Sequence, residues 1–335
     1  MLKIDSHTHI LPRVMPKWSE KFGYDGFVHL EDSRPGFANM MKDGAFFREI
    51  GSNCWDAEER IEAYAHAGVQ VQVVCTIPVM FAYGAKARDA ADLSRFLNTH
   101  IAGLVQDHPR HYVGLCSVPM QDPDLAILVL EEAHAMGHRG VQVGSNIQGV
   151  NLGAPRFNDF YAACERLDMS LFIHPWDMMG KEDMEKYWLP WLVGMPAETS
   201  RAACSMIFAG VLDRHPKLRV LFSHAGGAFL PTLGRIEHGH RCRPDLVAID
   251  NAKAPSEYLG KFWVDSITHD PRLLRYILEM QGSSRICMGT DYPFPLGDLE
   301  FGQFMEKMSL MTEDLEQLFA GAVLSWLGME ASAFD

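Results

Sequence analysis

Short apolar runs alternate with amphipathic stretches along most of the chain. The apolar runs predict eight strands: a first one that begins at residues 2–4 and leads into Asp5–His9, then 69–75, 112–118, 140–144, 170–174, 219–223, 261–266 and 285–289. Polar and apolar positions with helical spacing lie between and after them, and predict helices at 55–68, 88–107, 123–136, 155–167, 196–214, 228–240, 271–280 and 312–320.

This order predicts the fold class. Strands that are apolar on both faces and separated by helices are typical of a closed parallel barrel, in which helices cover the outside and side chains fill the inside. We therefore predict an α/β fold, a (β/α)8 TIM barrel in one domain that spans 1–335. A doubly wound open sheet is the alternative, but no Gly-x-Gly-x-x-Gly motif follows any predicted strand.

One segment breaks the alternation. Residues 12–54, after the first strand, are rich in glycine, proline and aromatic residues. The segment is too long for an ordinary barrel loop, and long structured loops of this kind are often functional. We expect an irregular insertion that folds over one end of the domain.

Composition excludes several classes of partner. The formal net charge of -13 argues against a nucleic-acid or anionic membrane surface, and no apolar run is long enough to span a bilayer. A small acidic substrate needs only one or two arginines, so it stays possible. The seven cysteines are odd in number and widely spaced, which predicts buried thiols in a cytoplasmic protein.

Candidate chemistry lies at the predicted strand ends. His7 and His9 alternate along the first strand and therefore project to one side. His174, His224 and Asp291 follow the fifth, sixth and eighth strands, and the carboxyl ends of barrel strands meet at the active site. Imidazole and carboxylate are ligands of zinc and its neighbours. Each residue alone could be an ordinary hydrogen-bonding side chain, but together they predict a metal-dependent active site.

This set resembles the amidohydrolase superfamily over the whole barrel. Its binuclear members bridge two metals with a lysine at the end of strand four. In this chain residues 140–146 contain no lysine, so we expect one metal. Longer motifs are similar to the metal-dependent decarboxylase branch: the surroundings of Arg48, then 174–179, 188–199, 234–235 and 291–297. Ala225 departs from that branch, where glycine is expected, and leaves the chemistry possible.

The resemblance implies roles for these residues. His7, His9, His174 and Asp291 would hold one Zn²⁺, with Mn²⁺, Co²⁺ or Fe²⁺ possible instead. A zinc-bound water has a pKa of ~7, and His224 would act beside it as general acid and base. The implied reaction is decarboxylation of 2-amino-3-carboxymuconate-6-semialdehyde to 2-aminomuconate semialdehyde, a step of tryptophan catabolism.

The resemblance also implies a pocket for a polycarboxylate. Arg48 and Arg235 would bind carboxylates, with Arg235 reaching in from the second subunit of a homodimer. The predicted pocket wall is Phe47, Trp176, Met178, Trp188, Trp191 and Phe294. For Trp188, ordinary core packing is the alternative, and for the methionines, packing is favoured over a catalytic role.

Three other functions stay open. One is decarboxylation of a related substrate, either the 2-hydroxy analogue or an aromatic carboxylate. Another is a mononuclear metal hydrolase or lactonase, which would use the same ligands. The last is a metal-binding scaffold without activity.

Overall fold

Eight parallel strands form the central sheet in the computed structural model, which describes residues 1–334. They are β1 (Ile4–His9), β2 (Val71–Cys75), β3 (Tyr112–Cys116), β4 (Gly140–Gly144), β5 (Ser170–His174), β6 (Val220–Phe222), β7 (Trp263–Asp265) and β8 (Ile286–Cys287). Neighbours in the sheet are neighbours in the chain. The backbone amide of Ser6 donates to the carbonyl oxygen of Met288 at 2.8 Å, which brings the first strand beside the last. The predicted TIM barrel is confirmed.

Helices follow every strand and cover the outside of the barrel. They are Ala57–His66, Ala87–Asp107, Pro123–Ala135, Asn158–Arg166 after the 3-10 turn Pro155–Phe157, Met195–Phe208 with Val211–Arg214, Leu233–Cys242 with Pro244–Val247, Pro271–Gln281, and Thr312–Glu316, which continues through Gln317–Gly321 into Ala322–Leu327. Several begin at aspartate caps. The side chain of Asp56, for example, accepts from the backbone amide of Glu59, which satisfies one of the free amides of the first turn.

Three predicted helix boundaries are wrong. The helix predicted over 196–214 is two helices, because Gly210 has a φ of 66°, a left-handed conformation that glycine adopts without strain. The other two errors concern a start and an end: the sixth helix begins at Leu233 rather than at residue 228, and the last ends at Leu327 rather than at residue 320.

The sequence led us to expect an irregular insertion, but this segment has regular secondary structure. It contains the short helix Trp18–Phe22 and a three-stranded antiparallel sheet, whose strands are Val28–Arg34, Phe37–Lys42 and Ala45–Gly51. Two tight turns connect the strands, with Gly36 and Gly44 in left-handed conformation. Pro35-Gly36 and Asp43-Gly44 are turn signals between extended runs, so the sequence did contain a sign of these hairpins.

The cysteine prediction is correct for five of the seven residues. Cys54, Cys75, Cys116, Cys164 and Cys287 are buried and free, whereas Cys204 is half-buried and Cys242 is exposed. Cys242 is the last residue of the surface helix Leu233–Cys242, and its neighbours His240, Arg241 and Arg243 are polar. None of the helices within residues 1–334 is long and apolar enough to cross a lipid bilayer.

A buried histidine makes stability depend on pH. His138 donates from Nε2 to the carbonyl oxygen of Asn98 at 3.0 Å, and burial lowers its pKa to about 4. Because the unfolded chain binds this proton at a pKa near 6.5, the stabilisation is present above pH 6.5 and is lost as pH falls towards 4. We expect a loss of about 3 kcal/mol in the free energy of unfolding from this residue. Urea titrations at pH 7, 5.5 and 4 should show a shallower decline in His138→Gln, and equal declines would contradict the prediction.

Candidate metal centre and active site

The carboxyl end of the barrel gathers the four predicted metal ligands. Ligand atoms of His7, His9, His174 and Asp291 all lie within 4.8 Å of one another, and all four residues are buried. The Nε2 atoms of His7 and His9 are 3.2 Å apart, and Nε2 of His9 lies 2.9 Å from Oδ1 of Asp291. β1 supplies two of the ligands because alternate residues share a face.

The donor set fits a cation. Each histidine has an oxygen acceptor next to Nδ1: Oδ2 of Asp265 for His7 at 2.8 Å, and the carbonyl oxygens of Thr76 for His9 and of Pro175 for His174, both at 3.0 Å. These acceptors place the ring proton on Nδ1, so the Nε2 lone pairs face one another. Nε2 of His174 is buried and has no hydrogen-bond partner within residues 1–334. Converging lone pairs repel unless a cation lies between them.

The protonation states suit the same purpose. Burial lowers the pKa of His7, and burial together with the neighbouring histidines lowers that of His174 further, so both rings are neutral ligands. Burial alone would raise the pKa of Asp291, but the imidazoles of His224, His9 and His7 around it hold that pKa well below its usual range. Metal ligands must be deprotonated, and these three are.

Two carboxylates that the sequence analysis missed support the ligands. Asp265, the last residue of β7, accepts from Nδ1 of His7 and from the backbone amides of His224 and Ala225, each at 2.8 Å. It therefore orients one ligand and the neighbouring His224 together. Its position at a strand end is the same signal that identified His174.

The second missed carboxylate is Asp5. It is fully buried and accepts from the backbone amide of His7 at 3.0 Å, from that of Thr290 at 3.1 Å and from the hydroxyl of Tyr64 at 2.7 Å. Burial raises its pKa to about 7. By binding β1 and the segment after β8 at once, Asp5 brings His7 next to Asp291.

His224 lies beside the ligand cluster. The centroid of its ring is 5.1 Å from that of His7 and 5.2 Å from that of His174, and its Nε2 is 3.6 Å from Oδ2 of Asp291. Its backbone is left-handed, with a φ of 54°, and so is that of Ala225 at 55°. An alanine in this conformation costs about 1 kcal/mol relative to glycine, which is the physical cost of the departure at Ala225.

A cavity of about 340 Å³ opens over the cluster. Besides His9, His174 and Asp291, it is lined by every residue of the predicted wall, namely Phe47, Trp176, Met178, Trp188, Trp191 and Phe294, and by Arg48. His7 and His224 adjoin these residues without lining the cavity themselves. The structure thus brings together in one place the predicted ligands and the predicted wall.

Arg48 projects into the cavity from the insertion sheet. Its guanidinium carbon is 5.0 Å from the centroid of the Phe294 ring and 5.4 Å from that of Phe47. Burial lowers its pKa, and within residues 1–334 it forms no ion pair. A guanidinium between aromatic faces, without a carboxylate of its own, is available to an anionic ligand.

Two lysines also line the cavity, and the sequence analysis did not find them. Lys181 is paired with Asp177, whereas Lys42 forms no ion pair within the described chain. Neither residue lies in a pattern that distinguishes it from a surface lysine. Arg235, in contrast, is exposed on helix Leu233–Cys242 and does not line the cavity of its own chain.

Three histidines and an aspartate that converge at the carboxyl ends of the strands place the protein among barrel enzymes with a candidate metal site. The amidohydrolase family model matches residues 4–322, and the chain belongs to this family. It is 49% identical to 2-amino-3-carboxymuconate-6-semialdehyde decarboxylase of Dictyostelium discoideum, over 99% of this chain and 93% of that protein. The enzyme of the same name from Caenorhabditis elegans is 38% identical, over 91% of this chain and 88% of that protein.

A solved structure agrees with this class at the level of the fold. A dihydroxybenzoic acid decarboxylase from Polaromonas, with bound manganese and the inhibitor 2-nitroresorcinol, superposes with a TM-score of 0.79 at 17% identity, over 99% of this chain and 98% of that one. The relatives and the site together make the protein a decarboxylase, a carbon–carbon lyase that acts on small carboxylates.

Proposed function

We propose that this protein catalyses the non-oxidative decarboxylation of 2-amino-3-carboxymuconate-6-semialdehyde to 2-aminomuconate semialdehyde. The observation that carries the proposal is the position of Arg48, a cation without an internal partner that faces the four-ligand cluster across an aromatic cavity. The two relatives described above, which act on this compound by name, support the choice of substrate.

His7, His9, His174 and Asp291 would hold the metal, which we propose to be zinc. Imidazole and carboxylate also accept manganese, cobalt or iron, so metal analysis decides between them. When bound, the ion supplies a Lewis acid that lowers the pKa of a water towards ~7.

The cavity residues bind and orient the substrate. The planar guanidinium of Arg48 can hold a carboxylate through two parallel hydrogen bonds. Trp191 and Phe294 offer flat faces to a conjugated chain and exclude water from it. In this position the substrate lies above Asp291 and within reach of His224.

His224 would move the proton that decarboxylation requires. Loss of carbon dioxide breaks one carbon–carbon bond and leaves its electron pair on the carbon skeleton, where a proton must replace the carboxyl group. An imidazole carries one nitrogen that can donate a proton and one that can accept it, which suits this transfer. The hydrogen bond that the backbone amide of His224 donates to Asp265 holds His224 beside the cluster for this purpose.

A homodimer would supply the second arginine. Arg235 is exposed, so it can contribute only to the cavity of a partner. A substrate with two carboxylates needs a second cation, and Arg235 in trans would provide it. The molecular mass in solution tests this part of the proposal.

Replacing Arg48 should weaken substrate binding more than turnover. We expect Arg48→Ala to raise KM by about 100-fold, because a charge-assisted bidentate contact in a water-poor site is lost. Arg48→Lys should recover only part of this loss, since an ammonium group cannot form the planar pair. Steady-state kinetics measure both variants. An unchanged KM in Arg48→Ala would contradict the role of this residue.

Substrate competition tests the proposed function. The aromatic wall would also suit a flat aromatic acid, which makes an aromatic carboxylate the second candidate. We would compare kcat/KM for the semialdehyde, its 2-hydroxy analogue and an aromatic carboxylate on one preparation. The proposal predicts the highest value for the 2-amino compound, and a higher value for either of the others would replace it.

A further inference from the structure

Another buried carboxylate lies outside the metal cluster. Glu198, in the first turn of helix Met195–Phe208, is fully buried. Its carboxylate accepts four hydrogen bonds: from Oγ of Ser145 at 3.0 Å, Nδ2 of Asn146 at 3.1 Å, the backbone amide of Met179 at 2.9 Å and Nη1 of Arg201 at 3.1 Å. A buried carboxylate is tolerated only when it is bonded in this way, so its partners are held in place.

These partners fix the loop that follows the metal ligand of β5. The backbone amide of Trp176 donates to Oγ of Ser145 at 3.0 Å, and Nδ2 of Asn146 donates to the carbonyl oxygen of Trp176 at 2.8 Å. Three residues further on, Met179 donates directly to Glu198. The loop is therefore attached to Glu198 at Met179 directly and at Trp176 through Ser145 and Asn146, and it carries two residues of the cavity wall, Trp176 and Met178.

The loop is held in a strained conformation. Asp177 has a φ of 46°, which side chains rarely adopt, and such conformations persist only where the surroundings impose them. The loop also orients a predicted metal ligand, because Nδ1 of His174 donates to the carbonyl oxygen of Pro175. Close packing adds a further constraint, since a Cβ atom on Gly194 would lie only 2.9 Å from Cβ of Met178.

We propose that Glu198 is a positioning residue that sets the substrate-binding wall. It touches neither the cavity nor the ligand cluster, but it fixes the backbone from which Trp176 and Met178 project. The inference deepens the proposed decarboxylase function and rests on it for the identity of the substrate.

The test is Glu198→Gln, which keeps the size of the side chain and replaces one acceptor by a donor. Whichever oxygen the new NH₂ group replaces, it faces groups that donate to the carboxylate, so at least one of the four hydrogen bonds is lost. We expect KM to rise about tenfold, with kcat within about threefold of wild type. Hydrogen exchange of the Met179 amide, followed by mass spectrometry, should be about tenfold faster or more.

Glu165→Gln is the matched control. Glu165 also accepts a backbone amide, that of Lys217 at 2.6 Å, but it lies at the end of helix Asn158–Arg166, before β5 begins. This variant should lower the melting temperature and leave KM and Met179 exchange unchanged. Wild-type KM and exchange in Glu198→Gln, or an equal KM change in the control, would overturn the proposal.

Hydrogen exchange separates this inference from the proposed function, because it needs no turnover. If the substrate is a different one, Met179 exchange still rises when Glu198 positions the loop, and stays at the wild-type rate when it does not. Where Glu198→Gln yields no folded protein, Ser145→Ala takes its place. Faster Met179 exchange in that variant supports the proposal, and a wild-type rate overturns it.

Discussion

Asp291→Ala should remove both the bound metal and the activity. Asp291 is the only carboxylate among the four converging ligand candidates, and it balances the charge of a divalent ion. A catalytic metal stabilises the transition state by several kcal/mol, so we expect kcat/KM to fall by at least about 1,000-fold. Metal content by elemental analysis and activity on the same sample measure the two effects.

A cap variant controls for instability. Asp270 accepts from the backbone amide of Arg272 at 2.8 Å and caps helix Pro271–Gln281 on the same side of the barrel. Asp270→Ala should lower the stability of the protein slightly without loss of metal. Full metal content in Asp291→Ala, or more than a tenth of wild-type activity, would exclude Asp291 as a ligand.

His224→Asn should separate proton transfer from metal binding. The residue lies beside the cluster without being one of its four convergent ligands, so the variant should bind metal normally. We expect kcat to fall by about 100-fold to 10,000-fold, the range over which a positioned acid or base contributes. Substrate binding, measured as KM, should change little, because Arg48 and the aromatic wall are intact.

The control for this variant is His66→Asn. His66 is exposed at the end of helix Ala57–His66, away from the carboxyl ends of the strands where the site lies. It should have wild-type kinetics. A loss of metal in His224→Asn would assign His224 to the ligand set instead, and a kcat within tenfold of wild type would show that another group moves the proton.

The barrel and its ligands could be predicted because they depend on local patterns. Each strand is a short apolar run, and the position just after the run faces the active site whatever the rest of the chain does. His7, His9, His174 and Asp291 follow this rule, and the structure gathers all four.

Other features depend on contacts that no local pattern records. The hydrogen bond between His7 and Asp265 joins residues 258 positions apart in the sequence. The hydrogen-bond partners of the buried Glu198 carboxylate lie in loops that follow two different strands. The left-handed backbones of Asp177 and His224 lie outside glycine, and no local pattern around these residues marks them in the sequence. The sheet of the insertion was missed for a different reason: the adjacent aromatic residues Phe46 and Phe47 break the alternation of polar and apolar positions that is typical of a strand.

The most direct test is to measure carbon dioxide release from 2-amino-3-carboxymuconate-6-semialdehyde, generated in situ and followed by its absorbance. The same preparation is assayed with metal bound, after chelation and after the metal is restored. The account predicts one carbon dioxide for each substrate consumed, lost on chelation and regained with the metal. Protein with bound metal that leaves this substrate unchanged would contradict it.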